Sequence, residues 1–255
     1  MKKNLGVVQA VYPMPVLIVA AYDENGKVNA MNAAWGMICN SDRIALFIDE
    51  DHKTTQNLLK AKAFTVSIAD RAHMDVADFF GIATGNKMPD KFERTGYHAS
   101  KSAFVNAPVI DEFPVVMECE LAEVSSTDSF YAIVGRIVNT AAEESVLSEN
   151  GKVDPARLNA LIFDQFQHGY YVSGEQVGKA WHEGAGLMKK RRLTAGNQKD
   201  GPEILSFGPS FFCRSLLRRS PPALPAAHPE GEKSCIRAES PAVHDVIESG
   251  ETTVP

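Results

Sequence analysis

Cysteine is scarce in this chain of 255 residues, with only Cys39, Cys119, Cys213 and Cys235. Their wide spacing forms neither a C-x-x-C metal or redox pair nor a disulfide framework, so a reducing, cytoplasmic setting is the default expectation. Surplus positive charge is missing too. Lys+Arg number 26 against 32 Asp+Glu, a net charge of −6, and a nucleic-acid groove needs clustered excess Lys and Arg to neutralise phosphates. No run reaches the ~20 apolar residues that a membrane-spanning helix needs. The N-terminal stretch after Met1-Lys2-Lys3 is broken by Gln9, Tyr12, Pro13 and Pro15, which argues against a secretory signal.

Familiar catalytic motifs are absent as well. The chain contains no G-x-G-x-x-G, no H-E-x-x-H and no G-x-S-x-G, and Gly81 to Lys87 has the wrong spacing for a phosphate-binding P-loop. The seven histidines are scattered, none paired at helical spacing, so no metal site is expected. What the chain does have is a globular balance of 44% hydrophobic and 23% charged residues, enough to bury a core. The composition changes near Lys189. Residues 190–255 hold 8 of the 14 prolines and show no sustained periodicity, as in Ser220-Pro221-Pro222-Ala223-Leu224-Pro225. We read residues 1–189 as the folded domain and 190–255 as a disordered tail, either a genuine appendage or, the reading we lean to, a sequence not native to this fold.

Within the domain, short strands outnumber helices. Val16 to Tyr22 and Lys27 to Ala30 flank Asn25-Gly26, a pair that tolerates positive φ, which predicts a hairpin. Ile44 to Ile48 predicts a strand, and Thr54 an N-cap for a short helix from Thr55 to about Lys62. Phe64 to Ala69 alternates like a half-buried strand, and Asp75 to Phe80 reads as a helix ended by Gly81. Val115–Val124 and Phe130–Val138 predict a hairpin with a five-residue connection, and Asp154-Pro155 opens a helix through Leu161. Adjacent strands linked by turns favour an antiparallel barrel with helices outside it.

The chemistry is concentrated in three segments. They are Val28-Asn29-Ala30-Met31-Asn32-Ala33-Ala34-Trp35, then His52-Lys53-Thr54-Thr55, then Thr84-Gly85-Asn86-Lys87-Met88-Pro89-Asp90-Lys91-Phe92. In this order they resemble the flavin reductase-like family, the FMN-binding split barrels that include flavoredoxin, whose pattern is close to N-x-M-T-x-S-W, H-K-T and S-G-x-x-x-D-K-F. Ala107-Pro108-Val109-Ile110, Glu118-Cys119-Glu120, Gly135-Arg136-Ile137 and Tyr171 to Lys179 extend the resemblance over roughly residues 8 to 189. Asn32 stands where that pattern has Thr, and Ala34 where it has Ser.

The resemblance implies a mainly β fold with flanking helices, an antiparallel Greek-key split β-barrel that binds FMN and pairs as a homodimer. It implies electron transfer through FMN with NADH or NADPH as donor. A carrier reduced by a redox protein, or a flavin store or sensor, are the alternatives. Small residues along Asn29, Ala30, Met31, Asn32 and Ala33, with Trp35, would let backbone approach the flavin ring. His52, Lys53, Thr54 and Thr55 would meet the phosphate with a cation and a helix N-terminus, and Lys87 and Lys91 are the next cations. His168, Tyr170 and Tyr171 are expected near the site. No catalytic side chain is expected, because the flavin itself carries the difficult chemistry.

Overall fold

The structure is a computed structural model that describes residues 1–190 apart from Ser129. The expected tail from Arg191 onward lies outside the described residues. The chain runs β1 (Met14–Pro15), β2 (Leu17–Tyr22), β3 (Val28–Ala33), β4 (Gly36–Asn40), β5 (Arg43–Leu46), α1 (Lys53–Ala61), β6 (Ala63–Ile68) and α2 (Met74–Ile82). It continues through β7 (Ala99–Lys101), β8 (Pro108–Ile110), β9 (Val115–Thr127), β10 (Phe130–Ala142), α3 (Pro155–Leu158), β11 (Leu161–Asp164), β12 (Gly169–Val172) and α4 (Ala185–Lys190).

Seven strands form one antiparallel sheet in the order β3-β2-β6-β9-β10-β5-β4. Its two outer strands, β3 and β4, are consecutive in the chain and joined only by Ala34 and Trp35. Three Cα steps reach at most ~11 Å, so the sheet must curl until its edges nearly meet. The β3 and β4 edges share no ladder, which makes the barrel split rather than closed. At this seam a Cβ on Gly36 would lie 2.8 Å from Leu46 Cδ2 and 2.9 Å from Leu17 Cδ1. A side chain there would have to displace both leucine ends, so glycine suits the convergence of the strands.

Strand β2 is buried on both faces, which explains its unbroken apolar run. Leu17, Val19 and Ala21 point into the barrel with Met31, Leu46, Phe64 and Ile133, and Leu58 of α1 joins that core. Val16, Ile18 and Ala20 point outward, under a second layer that includes Phe80 of α2, Phe92, Ile110 and Leu161. The site described below lies where α1, α2 and the loop after α2 meet β3.

Several boundaries differ from the sequence reading. Helix α1 begins at Lys53 with His52 as N-cap, so Thr54 sits inside the first turn instead of capping it. Strand β6 is buried on both faces, because the β7–β8 ribbon covers its outer side and Thr65 Oγ1 donates to Pro108 O at 2.6 Å. Helix α2 runs through Gly81 to Ile82. The β9–β10 hairpin is tighter than expected, with Thr127 paired to Phe130. Asp154 does cap α3, accepting from the Ala156 N–H, but the helix stops at Leu158 where Asn159 turns left-handed. The hairpin through Asn25-Gly26 forms as expected, with φ +78° at Gly26.

Candidate functional site

The site is a cleft of about 180 Å³ between β3, the start of α1, and the end of α2 with its following loop. The chain reversal at Asp49–His52 delivers the first turn of α1 to it. His52 O accepts the first helical bond, from Gln56 N at 3.0 Å, so the N–H groups of Lys53, Thr54 and Thr55 have no acceptor within the helix. No acidic residue occupies the first turn and no side chain caps it, while Asp49 and Asp51 gather beside His52 just before the helix. Buried Thr54 adds a hydroxyl. Its Oγ1 accepts from Asn29 Nδ2 at 2.6 Å, which leaves the hydroxyl proton free to donate into the cleft.

The opposite wall is cationic as well. Lys91 is 2% exposed, its Nζ donates to Ala83 O at 2.9 Å and lies 5.9 Å from the Phe80 ring centre. Among the described residues no carboxylate pairs with it. Burial pushes its ammonium down to about 8. Two further features mark the cleft as a receptor. His52 Nδ1 is buried without a partner. Gly85 lets the loop pass so close that a Cβ there would sit 2.5 Å from Asn29 Oδ1 and 3.0 Å from Lys53 Cβ.

Beside the cleft, and sharing Asn32, Gly81 and Ile82 with it, lies a second chamber of about 280 Å³. Tyr170 Oη donates to Asp78 Oδ1 at 2.9 Å along its edge, and Asn32 Nδ2 donates to Ala77 O at 2.9 Å. Burial, and then the Asp78 carboxylate, push the Tyr170 phenol up to about 12, against a smaller opposing pull from Asn32.

Of the expected residues, Met31, Asn32, His52, Lys53, Thr54 and Lys91 line one cleft. Asn29 backs it through Thr54, and Thr55 is fully buried in the first turn of α1 with its hydroxyl unpartnered. Ala30 and Ala33 spend their side chains in the outer and inner cores. Lys87 is exposed and Trp35 is 48% exposed; neither lines the cleft, and Trp35 instead borders an apolar cavity with Pro13, Met37 and Phe47. Asp78, Phe80 and Gly81 were not expected at the site. The available signal was a glycine inside a helical pattern, since such a glycine costs ~1 kcal/mol and often has a packing or functional reason. Cys119, buried and with its thiol pushed up to about 12 by desolvation, is packing and not a nucleophile.

Residues 9–166 match the model of the flavin reductase like domain, well over half of the chain. The protein belongs to the flavin reductase-like family. Its fold is similar to that of the flavoredoxin of Desulfovibrio vulgaris (Miyazaki F), with TM-score 0.69 and 33% identity, covering 72% of this chain and 100% of that one. A flavoredoxin from Methanosarcina acetivorans follows, with TM-score 0.67 and 24% identity, covering 73% and 100%. An uncharacterised protein of Aquifex aeolicus is 25% identical over 158 residues, 58% of this chain and 79% of its own length. The family is one of flavin-linked redox proteins, and the split barrel is its fold.

Proposed function

We propose that this protein is an FMN-dependent oxidoreductase that transfers two electrons, taking them from NADH or NADPH and passing them to an acceptor. The observation that carries the reading is the convergence of Lys91, Lys53 and the uncapped α1 N-terminus on one cleft whose charge is not balanced by any carboxylate of its lining. That donor set suits a phosphate dianion. The unpartnered His52 Nδ1 and the cradle at Gly85 fit an occupant of the same kind.

When bound, FMN supplies reversible acceptance of a hydride or of single electrons. The chain's own residues bind and orient. Lys53, Lys91, the Thr54 hydroxyl and the α1 N–H groups would hold the phosphate. Asn29 fixes the Thr54 rotamer that leaves its proton available, and Gly85 keeps the loop against Asn29 and Lys53. Lys91 has one carbonyl and one ring face as its partners, so its remaining N–H donors stay available to the cleft. Met31 and Phe80 supply buried apolar wall beside the bound group.

A carrier role, with a redox protein as donor, is favoured by the 33% identity to a flavoredoxin over that protein's full length. Anaerobic addition of each nucleotide to the FMN-loaded protein separates the two readings. Bleaching of the flavin band by NADH or NADPH is expected; reduction by dithionite alone would replace the reductase with the carrier. We also propose a homodimer. Edge strand β4 exposes Met37 and Ile38 beside Trp35, apolar surface on an unpaired edge that a second copy would cover. Light scattering at micromolar concentration should give twice the chain mass.

A further inference from the structure

The cleft at α1 is too small for a whole dinucleotide-sized or flavin-sized ligand. Its 180 Å³ falls below the ~300–1,000 Å³ of ordinary small-molecule sites, whereas the adjoining chamber adds about 280 Å³. The two meet at Asn32, Gly81 and Ile82. The first is cationic and the second is not: among the described residues no Lys or Arg lines the second chamber. A ligand that is anionic at one end and flat and neutral at the other would span them with the anion at α1.

The chamber's walls are Val16, Ala34, Ile82 and Phe163, small or apolar surfaces suited to a planar ring. Its polar groups are confined to Asn32, Asp78 and Tyr170. Tyr170 occupies Asp78 Oδ1, and the other carboxylate oxygen has no partner among the described residues. Asp78 also lacks a cation, since no Lys, Arg or His pairs with it. A half-buried carboxylate that faces an apolar chamber with acceptor capacity to spare is built to take an N–H donor. On an isoalloxazine the only ring N–H in the oxidised state is N3–H, flanked by the C2 and C4 carbonyls.

We propose that the Asp78 carboxylate, positioned by the Tyr170 hydroxyl, accepts the flavin N3–H. This rests on the FMN reading above and assigns the ring end of that ligand to residues outside the family's sequence motifs. It has an electrostatic consequence: a carboxylate at the pyrimidine edge opposes the negative charge that reduction places there, holding the midpoint potential low.

The test compares FMN with 3-methyl-FMN, which keeps the phosphate and ring but has lost the N–H. Dissociation constants are measured by flavin fluorescence for the wild type, Asp78→Ala and Asp78→Asn. The wild type should bind FMN at least about tenfold more tightly than 3-methyl-FMN, because the analogue leaves the carboxylate unpaired. Asp78→Ala should bring the two within about twofold. A wild-type ratio near one, or a ratio that survives Asp78→Ala, overturns the assignment while leaving FMN binding intact. Failure of both flavins to bind would instead remove the FMN reading and this inference together. Asp78→Asn preserves the shape of the helix surface, so it serves if the alanine variant does not fold. Its bound FMN should have a more positive midpoint potential than the wild type, and an unchanged potential would equally overturn the proposal.

Discussion

Replacing Lys91 by Met separates the cost of the buried cation from its use. The ammonium is 2% exposed, has a single carbonyl acceptor and no carboxylate, and burial lowers it to about 8 from 10.5. That difference corresponds to about 3 kcal/mol of unfavourable burial of the charged form at neutral pH. The folded state releases its proton near pH 8 and the unfolded state only near 10.5. Between those values the unfolded chain holds more protons, so stability of the flavin-free protein rises with pH across that window. Below pH 8 the full cost is present.

Lys91→Met keeps an unbranched side chain, one atom shorter, and removes the charge. The lost bond to Ala83 O offsets about 1 kcal/mol. The flavin-free variant should therefore be more stable at pH 7 by about 1–2 kcal/mol, and its stability should not rise between pH 8 and 10.5 by the Lys91 contribution. The same substitution should weaken FMN binding by about 10- to 100-fold, the value of a charge-assisted hydrogen bond to phosphate. Riboflavin, which has no phosphate, should bind both proteins alike. Urea melts across pH 7–10.5 and paired titrations with FMN and riboflavin provide the readouts. A variant that loses both flavins equally, or one whose stability falls and still climbs above pH 8, refutes the reasoning.

Two glycine substitutions probe the site and the barrel separately. Gly85→Ala places a methyl 2.5 Å from Asn29 Oδ1, which must leave Thr54, and FMN affinity measured by titration should fall about tenfold or more; unchanged affinity would show that this loop is not part of the site. Gly135→Ala drives a methyl into the Phe64 ring and to 3.1 Å from Cys119 Cβ, in the barrel core. Overpacking of ~1–3 kcal/mol should lower Tm by about 2–12 °C in a thermal melt, and an unaltered Tm would contradict the tight packing of β6 against β10.

Much of this was legible from local chemistry. The Asn25-Gly26 hairpin and the Asp154-Pro155 cap depend on residues next to one another, and both formed where expected. The position of β4 depends on something non-local. Met37 and Ile38 are exposed, so the strand carries no buried alternation, and only pairing with β5 defines it. Strand β6 alternates Thr and Ser with apolar residues and still buries both faces: Pro108 supplies the acceptor that Thr65 needs, and the Ser67 hydroxyl is buried without a partner. In the site, Lys53, Thr54 and Lys91 were visible because each lies in a short motif. Asp78 and Tyr170, 92 residues apart, meet only because β11 and β12 fold back towards α2. Trp35 shows the converse: it follows the motif strand directly, yet the turn into β4 carries it to a different cavity.

The central claim is that the α1 cleft and its neighbour hold FMN, and the most direct measurement is titration of the flavin-free protein with FMN, followed by fluorescence quenching and the visible spectrum. Saturable uptake of one FMN per chain is expected, with a flavin band perturbed from that of free FMN and weakened binding in Lys91→Met. A protein that quenches nothing and remains colourless at saturating FMN would contradict it.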